Sequence, residues 1–546
     1  MKKWSFILAS VALSSGTFAQ NPELLSRPQG WAQEDLLIRA SGYGGTGISL
    51  NGLNLKAPYS AHFNADLPVP IYLLSEPEVW TGLKNSSGYP VGTAVYRILP
   101  LEDFLQSTAR IGTQERYGAG ASFFSAGVGG FIDAEKALRV DYDANDFNRY
   151  SGGLVLQKIT DEWQFDLLAT HRQKIFGAQG YYGIPQNIYA EERADDSLLF
   201  MSATHGDLDG SFMRVASAFR RFDNEYRIPS SAFSSSVRSY LSSFMAEGRT
   251  LEIQHIALYL RGDLEHEGAD GTIGNHHRTR GSILLLPEAR FERFTLKAGF
   301  NSVFQTGEST EWLPQAGIDF FATDNLKFYA AYSETVQQPD FQTLYDADPY
   351  RTGNAAIPLQ KSQNSELGLH QYLSAALDWR AAVFNRRQHH AADWVKLTAA
   401  SPTWTAVDLG ALDVVGVDAA LNYRASDDLC FGLCYQWAVK DSFSVHSGLY
   451  ELDYPEHLLG FSGEWQMTPE LRLFLKQTLQ LQSDNPVRTS DDFGFGASLG
   501  LQYAPDFADN LLLSLQVDNP WDSDFQAVPG LRPRPTTVVL GVTMSW

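Results

Sequence analysis

Hydrophobic residues alternate with small or polar ones over most of the chain. At the C-terminal end Val538, Leu540, Val542, Met544 and Trp546 are apolar, while Thr537, Gly541, Thr543 and Ser545 among the intervening positions are small or polar. Phe493, Phe495, Ala497, Leu499, Leu501 and Tyr503 alternate with Gly494, Gly496, Ser498, Gly500 and Gln502. Leu511, Leu513, Leu515 and Val517 alternate with Ser514, Gln516 and Asp518. The same period runs through 163–169, 294–300, 459–465 and 471–475. A period of two predicts half-buried β-strands.

The solvent of the apolar face decides the architecture. The second face is mostly Gly, Ser, Gln, Thr, Asp and Lys, in segments of about ten residues, the length of strands that cross a bilayer with lipid on one side and a wet lumen on the other. Hydrocarbon offers no partner for backbone N–H and C=O groups, so such a sheet must close. Short connections are predicted at 160–161, 205–210, 323–325, 425–428, 468–470 and 504–510. Long polar ones are predicted near 173–194, 221–249, 263–279, 301–312, 334–363, 478–491 and 519–535. Short turns on one rim and long loops on the other are typical of outer-membrane barrels. Residues 101–546 number roughly 445, which at about 20 per strand and connection gives around 22 strands. The expectation is an all-β fold: a transmembrane antiparallel β-barrel of about 22 strands over 101–546. A lumen of that width needs a plug, assigned to residues 20–100.

Composition and termini sharpen the picture. The formal charge is -21, from 42 Lys and Arg against 63 Asp and Glu, which argues against a nucleic-acid partner. Two cysteines in 546 residues exclude a disulfide scaffold and a Cys-rich metal site. Lys2 and Lys3, a short apolar run from Trp4 to Leu13 and the small-residue end Thr17-Phe18-Ala19 have the form of a secretory signal peptide, residues 1–19. No later stretch is long and apolar enough for a transmembrane helix.

The candidate plug resembles that of the TonB-dependent outer-membrane receptor family. Ile38-Arg39-Ala40-Ser41-Gly42, Ile48-Ser49-Leu50-Asn51-Gly52 and Glu78-Val79-Trp80-Thr81-Gly82 resemble its I-R-G start, its apolar strand ending in D-G and its E-V-x-R-G segment. Gly92-Thr93-Ala94-Val95-Tyr96 stands where that family has a glycine-rich strand leading into the barrel. Farther on, Tyr332-Ser333, Pro339, Leu344-Tyr345, Gly353-Asn354, Glu366-Leu367-Gly368, Gly416-Val417-Asp418 and the stretch from Asn519 to Phe525 resemble its barrel motifs in order and spacing. The chain departs from the pattern in places. About eighteen mature residues precede Ile38, where the family has some fifty, so the plug is shortened. Gln20 to Leu37 contains no recognisable energy-coupling box. Asn51 and Thr81 replace the usual Asp and Arg, and Leu359 and Gln360 replace Pro and Glu.

The resemblance implies a receptor-like outer-membrane protein of a Gram-negative-type bacterium, for binding and uptake of a scarce solute of the siderophore, cobalamin or glycan class. Its implied partners are outer-membrane lipid, a periplasmic TonB-type energy-coupling protein and the barrel-assembly machinery. No cofactor is implied. In the family, plug arginines meet acidic groups on the barrel wall; Arg39 and Glu78 are the corresponding contact residues here, and the missing charge at Thr81 suggests a re-organised or looser plug. The terminal aromatic strand with Val542, Met544 and Trp546 is the assembly signal. A passive porin-like channel or a surface receptor without energy coupling is the alternative.

Candidate chemistry is sparse. No Gly-rich phosphate loop, G-x-S-x-G elbow or H-E-x-x-H stands out, so no catalytic or metal-ligating residue is assigned, and a barrel hydrolase is the weaker rival. Cys430 and Cys434 share one face of a predicted strand about 13 Å apart, too far for a disulfide. The pairs His276-His277 and His389-His390 point oppositely if they lie on strands. Aromatic groups near polar ones line ligand pockets, which makes Tyr59, His62 and Phe63 in the plug and Tyr181, Tyr182 and Tyr350 in barrel loops the candidate ligand-binding residues. The competing reading of such aromatics is an interfacial girdle.

Overall fold

The computed structural model describes residues 24–29, 32–85, 88–138, 146–208 and 210–546; the expected signal peptide, 1–19, lies outside them. Twenty-two strands, from Phe104–Gly112 to Thr537–Ser545, form one closed antiparallel barrel in sequence order. Thr537–Ser545 closes the cylinder on Phe104–Gly112, with Val539 opposite Gly112 and Ser545 opposite Gln106. Closure leaves no strand edge unpaired, as hydrocarbon requires.

Alternation fixes which way each strand faces. On Thr537–Ser545 the exposed side chains are Leu540, Val542 and Met544, while Thr537, Val539 and Thr543 are buried against the lumen. Phe165 is exposed and Asp166, Leu168 and Thr170 are buried on Trp163–Gly177. The apolar face therefore points outward over the membrane band and the polar face inward.

Connections at one rim are short: 126–127, 160–162, 324–325, 375–376, 427–428 and 469–470. At the other rim the reading of long loops holds for 338–359 and 519–536, in shorter form for 178–190 and 483–492, but not for three others. Residues 221–249 belong to the strands Phe212–Ile228 and Phe233–Arg249, joined by Pro229–Ser231 and Ala232. Residues 263–279 belong to Ile256–Gly271 and Gly274–Arg290, joined by two residues, and 301–312 to Phe294–Gln305 and Glu311–Thr323. Strands of 17 residues exceed the roughly 10 that a bilayer needs. Their outer ends stand in water, where both faces can be polar while the ladder hydrogen bonds continue.

The N-terminal segment occupies the lumen. Its central sheet runs in the order Leu53–Asn54, Thr46–Leu50, Gly92–Tyr96, Glu78–Thr81, with the middle pair parallel. Asn51 and Gly52, both at positive φ (46° and 85°), close a two-residue hairpin, as Asn-Gly favours. Ile48, Leu50, Leu53, Leu55 and Ala94 pack with Leu168, Phe200 and Met245 of the wall into one buried cluster. A second hairpin, Leu24–Gln29 with Gln33–Ile38, lies before this sheet in the chain. At the long-loop rim Arg351–Thr352, Ala392–Lys396, Trp404–Asp408 and Ser447–Gly448 form a four-stranded sheet.

Candidate functional site

The luminal unit is pinned around the circumference of the barrel. At its hairpin tip Asn51 donates to Ser202 Oγ at 2.9 Å and Asp166 at 3.2 Å, and Arg261 donates to the Gly52 carbonyl at 3.0 Å. Lys56 lies 3.1 Å from both Glu265 and Glu267. Arg220, fully buried and paired with Asp196 at 2.8 Å, donates to the carbonyls of Leu55 at 2.6 Å and Phe63 at 3.0 Å. Across the lumen Arg39 meets Glu366 at 2.5 Å and Asp418 at 2.8 Å, and Arg27 meets Asp453 at 2.6 Å. Removing one partner of such a buried pair costs about 3–5 kcal/mol. Glu78 differs from its expected role. It lies on the edge strand of the luminal sheet and pairs with Arg97 of the same unit at 3.0 Å, half exposed, rather than with the wall.

Five of the six candidate aromatics are buried where the luminal unit meets the loops. Tyr59, His62, Phe63, Tyr181 and Tyr182 are almost inaccessible, and Tyr350 is half-buried. His62 stacks on Tyr43 at 3.7 Å between centroids, meets Tyr450 edge-on at 4.8 Å, and holds Asp35 at 2.9 Å through Nδ1. Tyr182 donates to Glu192 at 2.7 Å, and its hydroxyl oxygen lies 2.8 Å from the Gln33 side-chain amide. Phe63 packs on Phe222 at 4.5 Å. Burial pushes the Tyr59 and Tyr182 phenols well above the ordinary tyrosine range, so both stay neutral hydrogen-bond donors. Arg351 sits within 6 Å of the rings of Tyr182, Tyr226 and Trp394 and pairs with Asp346 at 3.0 Å and Asp348 at 2.8 Å. A void of only about 50 Å³ remains beside Tyr43, Trp394 and Tyr450. The loops thus stand closed on the luminal apex. Tyr43, Arg351, Trp394 and Tyr450 carry no sequence signal of their own; only the loop positions of Trp394 and Tyr450, away from the lipid band, could have pointed to them.

Space lies along the flanks instead. At the short-turn rim a chamber of about 1010 Å³ opens between Glu76, Glu78, Trp80 and Lys84 and the wall around Arg424, Cys430 and Arg472. Cys430 and Cys434 are free thiols. A crevice of about 300 Å³ runs between residues 65–74 and the wall strands from Phe104 onward. His276 stacks on Tyr345 at 3.6 Å, and His390 holds Asp408 at 2.8 Å. Among the described residues no three His, Cys, Asp or Glu side chains are grouped to hold a metal ion.

The sequence profile described as TonB dependent receptor-like, beta-barrel, matches residues 99–532. The chain belongs to this family. TonB-dependent receptors also recur among solved structures of the same fold. The FrpB iron transporter of Neisseria meningitidis in its apoprotein form aligns with a TM-score of 0.74 at 12% identity, over 96% of this chain and 95% of that one. The siderophore receptor PirA of Pseudomonas aeruginosa aligns at 0.69 and 14%, over 97% and 95%. The copper transporter OprC aligns at 0.71 and 12%, over 96% and 94%. No curated protein sequence matches the chain.

Proposed function

We propose that this TonB-dependent receptor-like protein sits in the outer membrane of a Gram-negative-type bacterium, binds a scarce solute at its long-loop rim and admits it past the luminal unit, which acts as a plug over about residues 20–100. The supporting observation is the filled lumen: one N-terminal unit, held by buried ion pairs on opposite walls, under loops closed at its apex. A metal chelate is the solute class to test first, because the structures of like fold are described as iron, siderophore and copper transporters. The closed aromatic cluster around His62, Tyr182 and Tyr59 would be the ligand floor once the loops lift, with Phe63, Tyr181 and Tyr350 beside it. A periplasmic coupling protein would supply the work of moving the plug. No step requires bond chemistry.

The test is uptake of radioactive iron, supplied as ferric siderophores, into iron-limited cells with and without the protein. Uptake that needs the protein and stops with a protonophore supports coupled transport. Passive permeation favours the porin-like alternative, to which the chamber at the short-turn rim lends specific support: it already opens about 1010 Å³ between plug and wall. A steady open conductance of the wild type in planar bilayers would decide for that alternative.

A further inference from the structure

The luminal sheet packs its apolar side on one arc of the barrel. The buried wall members of that cluster all lie between Phe124 and Met245. On the same arc Arg172 and Lys174 reach across the flank crevice to Asp66 of the luminal unit, so a solute there would have to part an ion-paired contact.

The arc from Leu429 to Tyr503 is built differently. Cys434, Gly460, Thr478 and Gly496 stand directly opposite one another across four neighbouring strands. Gly432, Ser462, Lys476 and Ser498 form the next inward row. Apart from Lys476 these are small side chains or none, and space follows them from rim to rim. The chamber of about 1010 Å³ at the short-turn rim meets a neck of about 70 Å³. The neck meets a pocket of about 240 Å³ under the loop 519–536. Gly432 and Ser462 line the first two spaces, Leu25, Ser26 and Thr478 the last two, and Lys476 all three.

The inner wall of the neck is the start of the strand Leu24–Gln29. Arg27 fixes that strand through Asp453 at 2.6 Å and the Ala527 carbonyl at 2.8 Å. On the outer wall, a Cβ at Gly460 would press on the sulfur of Cys434, so this half-buried thiol covers Gly460 and narrows the space. A neck of about 70 Å³ holds a few water molecules, whereas ligand pockets start near 300 Å³.

Gly496 has no packing reason to be glycine. A Cβ at Gly494 on the same strand would press on the Phe525 ring, but at Gly496 it would meet no atom within 4 Å. Gly496 is not among the residues at positive φ, and glycine weakens a strand interior. What the missing side chain leaves is room in the 240 Å³ pocket.

We propose that solute crosses the protein along this arc, between Leu24–Gln29 and the wall from Leu429 to Tyr503, with the neck at Cys434 and Gly460 limiting its width. A solute larger than the neck passes when Leu24 to Ser26 yield. The route rests on the reading of the protein as a passage, coupled or passive.

Gly496→Phe tests it, because the ring fills the upper pocket without displacing a neighbour. Two throughputs are read: radioactive iron uptake from ferric siderophores into iron-limited cells, and potassium chloride current in planar bilayers. Whichever the wild type shows should fall at least about fivefold, since pore width sets passage. Ser151→Phe, which fills the crevice on the opposite arc, should leave it unchanged. Heat-modifiable migration on gels checks that each variant is a closed barrel. Should Gly496→Phe fail that check, a cationic methanethiosulfonate reagent is used on the wild type instead. Its disulfide-linked group on Cys434 should block throughput, reversibly with dithiothreitol. Cys434→Ser, which keeps Cys430 in the wide chamber, should be insensitive. Undiminished throughput in closed-barrel Gly496→Phe, an equal loss in Ser151→Phe, or no block by the reagent overturns the route and leaves the passage reading standing. A wild type with neither uptake nor current removes the passage reading and the route with it.

Discussion

Arg39 and Glu366 meet at 2.5 Å, Nη1 to Oε2, across the boundary between the luminal unit and the strand Gln360–Ser374. The same guanidinium holds Asp418 on Ala411–Ser426 at 2.8 Å through Nε and lies 4.6 Å from the centre of the Phe384 ring. Thr81 brings no charge to this corner. One arginine from the luminal unit therefore answers two wall carboxylates, and the two strands that bear them are tied together through a residue that belongs to neither.

Arg39→Ala should free the luminal unit at this wall. Glu366 and Asp418 would face each other without that counter-charge, and the lost pairing is worth about 3–5 kcal/mol. We expect single-channel recordings of the variant in planar bilayers to show frequent openings where the wild type is silent. A variant as quiet as the wild type would mean that the remaining contacts, Arg27 with Asp453 and Lys56 with Glu265 and Glu267, hold the luminal unit unaided.

Gly52→Ala should undock the opposite side. Gly52 sits at φ 85°, where L side chains are strained. An added Cβ would come within 2.8 Å of Arg214 Nη2 and 2.9 Å of Glu247 Oε1. Arg214 and Glu247 are themselves paired and nearly inaccessible, so neither can swing away cheaply. The expected cost is about 1–3 kcal/mol from backbone strain and displaced contacts. Hydrogen exchange read by mass spectrometry should show lost protection in a peptide covering 46–57, with barrel peptides unchanged. Protection equal to the wild type would show that the tip has room to spare.

The barrel was legible in the sequence because lipid on one side and water on the other impose a strict period of two on every spanning strand. Val542 and Met544 facing out while Thr543 faces in is that rule on a single strand. The loop rim was less legible for the same reason. Once a strand leaves the hydrocarbon, both faces can be polar, and Phe233–Arg249 reads as a loop although its hydrogen bonds run on unbroken. The plug motifs located Arg39, but not the residues that receive it, since Glu366 and Asp418 come together only when the cylinder closes. The aromatic candidates were visible as residues; that His62 would be sealed between Tyr43 and Tyr450 depended on a loop more than 380 residues away. Glu78 misled because its carboxylate is answered inside the luminal unit, by Arg97, beside a wide chamber.

Acid should tighten the loop sheet. Asp393 is buried on Ala392–Lys396 and accepts from the backbone N–H groups of Trp394, Tyr450 and Leu452 at 2.8–3.1 Å. Burial, with Glu451 adding repulsion, raises its carboxyl from 3.8 to about 6. A folded-state value above the unfolded one means that the stabilising contribution is full below about pH 4 and is lost as the pH rises through 6. The shift corresponds to about 3 kcal/mol at most. Comparison with Asp393→Asn at each pH cancels intrinsic exchange chemistry. The wild type should gain at least about tenfold in protection of Tyr450 and Leu452 relative to the variant between pH 7.5 and 4.5. A constant ratio would show that the carboxyl titrates in its ordinary range.

Trp546→Ala bears on how the cylinder closes. Thr537–Ser545 pairs with Phe104–Gly112 over seven residue pairs, from Val539 with Gly112 to Ser545 with Gln106, and the Trp546 N–H adds a bond to the Leu105 carbonyl at 2.8 Å. That bond is made by backbone and survives the substitution. The indole itself is 64% exposed, on the outward parity shared by Val542 and Met544, so it adds little to the packing of the finished barrel. If the outward aromatic strand is what the assembly machinery reads, the substitution should lower the amount of heat-modifiable protein in the outer membrane several-fold. Refolding of the purified chain into detergent micelles, where no machinery acts, should be nearly unaffected. Loss in both settings would place the effect in barrel stability, and loss in neither would remove Trp546 from the signal.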